Sequence, residues 1–276
     1  KAKAEFPLIA CNEMSSMRHV HLHIHGNVAS LTLARPPVNA LDPSLIEEVE
    51  TSFGILLGKP EISVLTVKSA QKVFCAGADL DGVAAFLRTD DPGAELRPYA
   101  DRVQALVRQF EALPFLTVCE LKGSAMGGGL EFALAADFRV ASDRARLGLP
   151  ELALGLIPAA GGTQRLARLC GVQTARRLIL RGRILNALEA FDLQLIDEVF
   201  PFEEFDQKAS EFVAQLAAQP GQASRCAKAC ISHYDTAVAG GFEAEVLGIA
   251  NLIASSEAQD RIRAFVAKSA MATPAS

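Results

Sequence analysis

Three adjacent glycines, Gly127 to Gly129, stand directly before the apolar run Leu130-Glu131-Phe132-Ala133-Leu134. Glycine has no Cβ, so such a run lets another group come close to the backbone. It also leaves N–H groups at a helix N-terminus without intrahelical partners. Those N–H groups suit an anion or a developing oxyanion. Before the glycines, Pro114 ends one apolar helical pattern and Phe115 to Leu121 reads as a buried strand. After them, Asp137 to Ala141 reads as another strand. The glycine turn therefore joins strand to helix to strand, which is an α/β arrangement.

Two glutamates lie close to this turn in sequence. Glu131 falls in the first turn of the helix among apolar neighbours, and Glu151 follows between Pro150 and Leu152. A carboxylate in apolar company is costly unless it is paired or used. For each one alone, the alternative is a structural group bonded to backbone N–H. Two beside an oxyanion-binding turn point to general acid–base chemistry next to a carbonyl.

The 276 residues suffice for one large domain, or a domain with an appendage, and the net charge of −5 comes from interspersed acids and bases. That balance speaks against a nucleic-acid-binding surface, though not against a local basic pocket for a phosphorylated ligand. No apolar run approaches the ~18 residues of a membrane span. No signal-peptide pattern opens the chain. The expectation is a cytoplasmic protein, or an organelle-matrix protein if a transit segment was removed. Six cysteines at 11, 75, 119, 170, 226 and 230 form no CxxC pair, which fits reduced thiols. Cys226 and Cys230 share a helix face and are expected to be buried small hydrophobes.

Along the chain, residues 1–18 show no period and form a ragged N-terminal segment. His19 to His25 alternates strictly, so Val20, Leu22 and Ile24 point inward while His19, His21, His23 and His25 point outward. Stacked imidazoles could chelate a metal. With no Asp, Glu or Cys among them, a solvated strand face is the preferred reading, and no metal site is assigned. Gly26-Asn27 marks a hairpin, and Val28 to Ala34 is its second strand. Asp42-Pro43 starts a helix whose apolar face runs from Leu45 to Leu57. Ile62 to Val67 is a third strand. Residues 89–95 are polar and read as a loop, a candidate lid. A helix is expected from Arg97 to Leu113, and two or three short helices over 161–196. The chain from Glu203 to Lys268 reads as wholly helical, able to cap the core or to pair subunits. A core is assigned to residues 19–200, and a C-terminal helical subdomain to 201–276.

Four stretches in order resemble the crotonase superfamily, specifically its enoyl-CoA hydratases and isomerases. They are Arg-Pro-Pro-Val-Asn-Ala-Leu at 35–41, Phe-Cys-Ala-Gly-Ala-Asp-Leu at 74–80, Gly-Gly-Gly-Leu-Glu at 127–131, and the run from Leu149 to Leu166. The resemblance implies an α/β fold, a spiral of ββα units with a C-terminal helical oligomerisation region, assembled as a homotrimer or dimer of trimers. It implies an acyl-CoA thioester as substrate and partner, no nucleic acid and no membrane. It also implies no cofactor beyond the coenzyme A carried by the substrate. The oxyanion hole falls on the N–H groups of Ala78 and Gly128. Ala76, Asp79 and Leu80 would line the path of coenzyme A.

The mechanism this resemblance implies is hydration. Water adds to the β-carbon of an α,β-unsaturated thioester, with Glu131 as base and Glu151 as acid at the α-carbon. An enoyl-CoA Δ-isomerase, an aromatic acyl-CoA hydratase-lyase and a non-catalytic acyl-CoA-binding member are the alternatives. The pair of glutamates favours hydration over double-bond migration, for which the position of Glu151 commonly suffices.

The chain departs from the family pattern in three places. Ala159 stands where glycine is usual, and its methyl is expected to narrow the acyl pocket or shift the water. The Pro-Pro loop lacks a lysine that many relatives use for CoA phosphates, with Arg35 as its candidate substitute. Asp260-Arg261 replaces a usual Glu-Gly, while Lys268 keeps its place as a candidate CoA contact. The pocket walls are expected from residues 80–115.

Overall fold

A computed structural model describes residues 17–231 and 239–272. The expected N-terminal segment lies almost wholly outside the described residues. β1 (Val20–His25) and β2 (Val28–Leu33) pair antiparallel around the Gly26-Asn27 turn. Their alternation places Val20, Leu22, Ala29, Leu31 and Leu33 in the core, with His21, His23 and His25 outward. Among the described residues no group of three or more His, Cys, Asp or Glu side chains could hold a metal ion.

α1 (Pro43–Leu57) starts as the sequence dictates, with the Asp42 carboxylate accepting from the Leu45 N–H at 2.8 Å. β3 (Val64–Ser69), β4 (Leu116–Leu121), β6 (Phe138–Ser142) and β9 (Glu198–Phe200) then extend the sheet in parallel, giving the order β1-β2-β3-β4-β6-β9. A second, smaller sheet contains β5 (Ala125–Met126), β7 (Arg146–Gly148) and β8 (Ile184–Asn186).

The spiral is visible in this second sheet. Cys75 bridges Ala125, and Ala125 pairs with Leu147, so successive turns stack one short strand on the next. Each turn supplies a long strand, a short strand and a helix. α2 (Leu80–Phe86) and α3 (Pro92–Glu111) close one turn and α4 (Gly128–Leu134) the next. Phe53, Phe110 and Phe132 stack with centroid separations of 5.6 and 4.4 Å, tying α1, α3 and α4 together.

α3 begins five residues before the expected start, so most of the anticipated lid loop is its first turn. Asp91 caps the Ala94 N–H at 3.0 Å and Pro92 occupies the first helical position. This is the same Asp-Pro signature that starts α1, and it overrides the polar composition of 89–95.

The region after α4 contains α5 (Gly162–Cys170), α6 (Val172–Leu180) and α7 (Ala187–Asp192). α8 (Phe205–Ala217) packs Phe205, Ala209 and Val213 on the sheet against Val64, Val118 and Val140. α9 (Gly221–Ile231) corrects one expectation, because Cys226 and Cys230 are exposed. The inward face carries Arg225 and Lys228. Arg225 donates to the Pro60 carbonyl at 2.6 Å, and Lys228 reaches the Phe115 carbonyl at 3.0 Å and Asp137 at 2.7 Å. Polar docking of that face turns the thiols to the outside.

α10 (Ala239–Ile253) lies against α3, and α11 (Ser256–Ala272) against α2. Ile253, Ala258 and Ile262 are buried with Val83, Leu96 and Leu156. No helix among the described residues is long and apolar enough to cross a membrane.

Candidate active site

Two loops meet at the base of the site, and a third pins one of them. Asn39 is fully buried with φ of 51°, a conformation in which Asn is tolerated better than most residues. Its Nδ2 donates to the Phe74 carbonyl at 2.9 Å and Ser69 Oγ at 2.7 Å, while its Oδ1 accepts from the Arg35 N–H at 2.8 Å. Ala76 N–H donates to the Val38 carbonyl and Leu41 N–H to the Gly77 carbonyl, at 3.0 and 2.8 Å. Tyr99 of α3 fixes the other side of Leu41, donating its hydroxyl to the Leu41 carbonyl at 2.6 Å. Burial pushes the Tyr99 phenol up, so it stays a donor.

The loop at 74–80 meets the glycine turn. Gly77 has φ of 94° and Gly127 φ of 52°, both in the region that favours glycine. A Cβ on Gly77 would lie 2.9 Å from the Gly128 nitrogen, so neither residue type nor conformation is free there. Among the described residues, the N–H groups of Ala78 and Gly128 donate to no protein acceptor. Two amides from separate loops thus stand open beside one another. Cys75, just before, donates its thiol to the Asn39 carbonyl at 3.0 Å. Burial pushes that thiol up to about 12, which makes it a neutral packing group and no nucleophile near neutral pH.

Glu131 is 2% exposed and projects from the first turn of α4. Its Oε1 accepts from the N–H groups of Ala160 and Gly162, at 2.8 and 2.7 Å. Ala160 lies just before α5 and Gly162 begins it, and a Cβ on Gly162 would press to 2.8 Å from that oxygen. Buried Arg165 holds the same loop, donating to the Ala160 carbonyl at 2.9 Å and pairing with Glu111 at 2.6 Å. Glu151 opens a 3-10 turn, Glu151–Leu154, and its Oε1 would be 3.0 Å from a Cβ on Gly127. Arg261 of α11 donates to the Ala153 carbonyl of that turn at 3.3 Å.

These groups face one cavity of about 740 Å³. The structure brings Ala76, Ala78, Leu80, Gly128, Glu131, Glu151 and Lys268 to its lining. Arg35 and Asp79 are not in that lining, and Arg35 pairs with Asp42 at 3.0 Å and Asp79 at 3.2 Å. The walls do include Leu80, Val83, Leu96, Tyr99, Ala100 and Val103 from the expected stretch. They also include Leu154, Leu156, Ile157 and Ala159, Ile249 of α10, and Arg261 and Phe265 of α11. Sequence reasoning passed over Asn39, Tyr99 and Arg165 as organisers of the loops. Asn39 carried a signal, since Asn after Pro-Pro-Val suits a left-handed turn. Arg165 carried one only through its place in an otherwise apolar helix face.

Comparison with known proteins gives a consistent assignment. Residues 23–272 match the family model described as Enoyl-CoA hydratase/isomerase. The chain is 36% identical over 252 residues to the enoyl-CoA isomerase/hydratase fer4 of Mycosarcoma maydis, covering 87% of this chain and 90% of that one. It is 33% identical to the probable mitochondrial enoyl-CoA hydratase 2 of Arabidopsis thaliana, covering 88% and 80%. The crystal structure of an enoyl-CoA hydratase from Mycobacterium avium subsp. paratuberculosis K-10 superposes with a TM-score of 0.79 at 26% identity, covering 89% and 98%.

Proposed function

The chain belongs to the enoyl-CoA hydratase/isomerase family of the crotonase superfamily, and we propose that it adds water across the α,β double bond of an enoyl-CoA thioester. The observation that carries this reading is the convergence of Glu131, Glu151 and the two open amides of Ala78 and Gly128 on one cavity.

In this reading the thioester oxygen accepts from both amides. As hydroxide adds to the β-carbon, the π electrons move toward the thioester and the oxygen gains enolate charge. Preorganised N–H donors stabilise that charge, each worth about 3 kcal/mol in comparable sites. Glu131 takes the proton from water. Its Oε1 is held by two backbone donors, which fixes the carboxylate where it lines the cavity. Glu151 delivers a proton to the α-carbon, and the positions of the two carboxylates on different elements let them act on the two ends of the double bond. Atoms balance: one water is consumed, with its hydroxyl on the β-carbon. The reaction drawn this way calls for no metal or redox group, coenzyme A being part of the substrate.

Lys268, Ala76 and Leu80 line the cavity, and in this reading they flank the coenzyme A arm. Arg35 is engaged by two carboxylates, so its contact with a CoA phosphate would require opening these ion pairs, whereas Asp79 would line the path through its backbone. Large apolar side chains left exposed on α6 and α7, Leu180 at 66% and Leu188 at 62% among them, support self-association, for which the family resemblance implies a homotrimer or dimer of trimers. We place the reaction in a cytoplasm or an organelle matrix.

Double-bond migration is the second reading, favoured by the dual name of the Mycosarcoma maydis relative. The test is incubation with a trans-2-enoyl-CoA, following the conjugated absorbance and the product mass. Hydration predicts loss of absorbance and a product heavier by one water. A 3-enoyl-CoA that gains conjugated absorbance at unchanged mass, with no hydration of the trans-2-enoyl-CoA, supports the isomerase instead.

A further inference from the structure

The cavity has two chemically distinct ends. Near the mouth, Arg261, Phe265 and Lys268 project from α11, all three exposed. At the inner end, Leu96, Ala100 and Val103 are 1%, 5% and 7% exposed and share one face of α3 with Tyr99. Facing them are Leu156, Ile157 and Ile249.

The polar side chains lining the cavity, among the described residues, are Tyr99, Glu131, Glu151, Arg261 and Lys268. The two glutamates sit at the reacting centre and the two cations on α11. Tyr99, the polar member of the inner wall, spends its hydroxyl on the Leu41 carbonyl. Nearby Gln104 of the same helix donates to the Ala159 carbonyl at 3.2 Å. A carboxylated acyl tail would therefore be stripped of water at the inner end without a donor in exchange, and a hydroxylated one would find only the Tyr99 oxygen as acceptor.

We infer that the acyl group is an unsubstituted aliphatic chain of medium length, with Ala100 setting how much of it the pocket accepts. This rests on the enoyl-CoA reading above and names its substrate class. The dimensions agree. From Leu96 to Val103 the helix rises about 10 Å. An extended alkyl chain with C–C bonds near 1.5 Å advances about 1.3 Å per carbon, so the stripe matches about eight carbons. A four-carbon acyl group would leave most of the apolar wall against solvent. Ala100 is the smallest side chain of the stripe, midway along it, and a larger residue there would project into the space the tail needs.

The test is calorimetric binding of butyryl-CoA, octanoyl-CoA and 4-coumaroyl-CoA to the wild type, Ala100→Val and Ala100→Phe, with melting curves for all three proteins. Each buried methylene is worth up to about fourfold in affinity, so the four extra methylenes of octanoyl-CoA set a ceiling of about 250-fold, and binding at least about tenfold tighter than butyryl-CoA is expected. It should also bind tighter than 4-coumaroyl-CoA. The octanoyl-to-butyryl ratio should shrink in Ala100→Val and approach one in Ala100→Phe. Should the phenylalanine variant not fold, the valine variant still reads the trend. Equal affinities for the two alkanoyl thioesters, tighter binding of the phenolic one, or a ratio unchanged in the folded variants would overturn the inference. These ligands need no turnover, so the two claims separate. Tight octanoyl-CoA binding without hydration of oct-2-enoyl-CoA would sink the hydratase reading and leave the pocket assignment standing. Hydration of crotonyl-CoA with no gain from chain length does the reverse. No binding of any of the three overturns both.

Discussion

Gly77 and Gly128 belong to different loops, yet a Cβ on Gly77 would come within 2.9 Å of the Gly128 nitrogen. That approach sets two outward-facing amides side by side, and it is possible only because one partner has no side chain and accepts φ of 94°. Gly77→Ala is expected to splay the loops. Loss of one oxyanion donor lowers kcat by about 100- to 1,000-fold in other enzymes, and a fall of that order is predicted for hydration here. The check is steady-state kinetics alongside a melting curve. A folded Gly77→Ala enzyme with wild-type kcat would remove this pair of amides from the account.

Gly162 stands in the same relation to Glu131. A Cβ at 162 would lie 2.8 Å from the Oε1 that the Gly162 N–H itself holds. Gly162→Ala should push the carboxylate out of line without touching the coenzyme A path. The expected outcome is a kcat reduced by at least tenfold, about 1.4 kcal/mol in barrier, with KM little changed. A change confined to KM would show that the position matters for binding instead.

The thiols divide by environment. Burial pushes Cys75 up to about 12 and Cys119 further still, while Cys226 and Cys230 are exposed on α9. Brief treatment of the native protein with iodoacetamide at pH 8, read by peptide mass spectrometry, should label Cys226 and Cys230 and spare Cys75 and Cys119. Labelling of all four after denaturation provides the control. Native labelling of Cys75 at the rate of Cys226 would contradict the packing of the 74–80 loop.

Glu120 on β4 is buried and accepts from the Thr66 hydroxyl at 2.5 Å. Burial raises its carboxyl above the ordinary value of 4.5, more than Thr66 and Lys68 lower it. Below the unfolded-state value both states are protonated and no penalty exists. As pH rises from there through the folded-state value, the folded protein bears the cost of ionising a buried acid. Glu120→Gln should therefore melt higher than the wild type at pH 8, by at least about 2 °C, with the gap closing as pH falls toward 4. A Gln variant that is less stable at pH 8 would mean that the ionised carboxylate is favoured by its surroundings.

Much of this was readable from the chain. The hairpin, the Asp42-Pro43 helix start and the burial of Val20, Leu22 and Leu31 follow from local periodicity and capping, which sequence displays directly. Glu131 and Glu151 stood out because carboxylates in apolar runs are costly. The start of α3 was also written in Asp91-Pro92, but polar composition masked it. What sequence withheld is who meets whom. Periodicity shows that Val103 and Ile249 face inward, not that they enclose the same cavity. It shows that Cys226 and Cys230 share a face, not that Arg225 and Lys228 anchor the opposite one to backbone carbonyls. Long-range partners are a property of topology, which local patterns do not encode.

The central claim is that Glu131 and Glu151 act together on an enoyl-CoA held by the Ala78 and Gly128 amides. The most direct measurement compares the wild type, Glu131→Gln and Glu151→Gln on a trans-2-enoyl-CoA and on a 3-enoyl-CoA. Products are identified by mass, and folding is checked by melting. The account predicts that both variants lose hydration by about 100-fold or more while staying folded. Double-bond migration that survives Glu131→Gln and disappears in Glu151→Gln, with no hydration by the wild type, would contradict it and make the protein an isomerase.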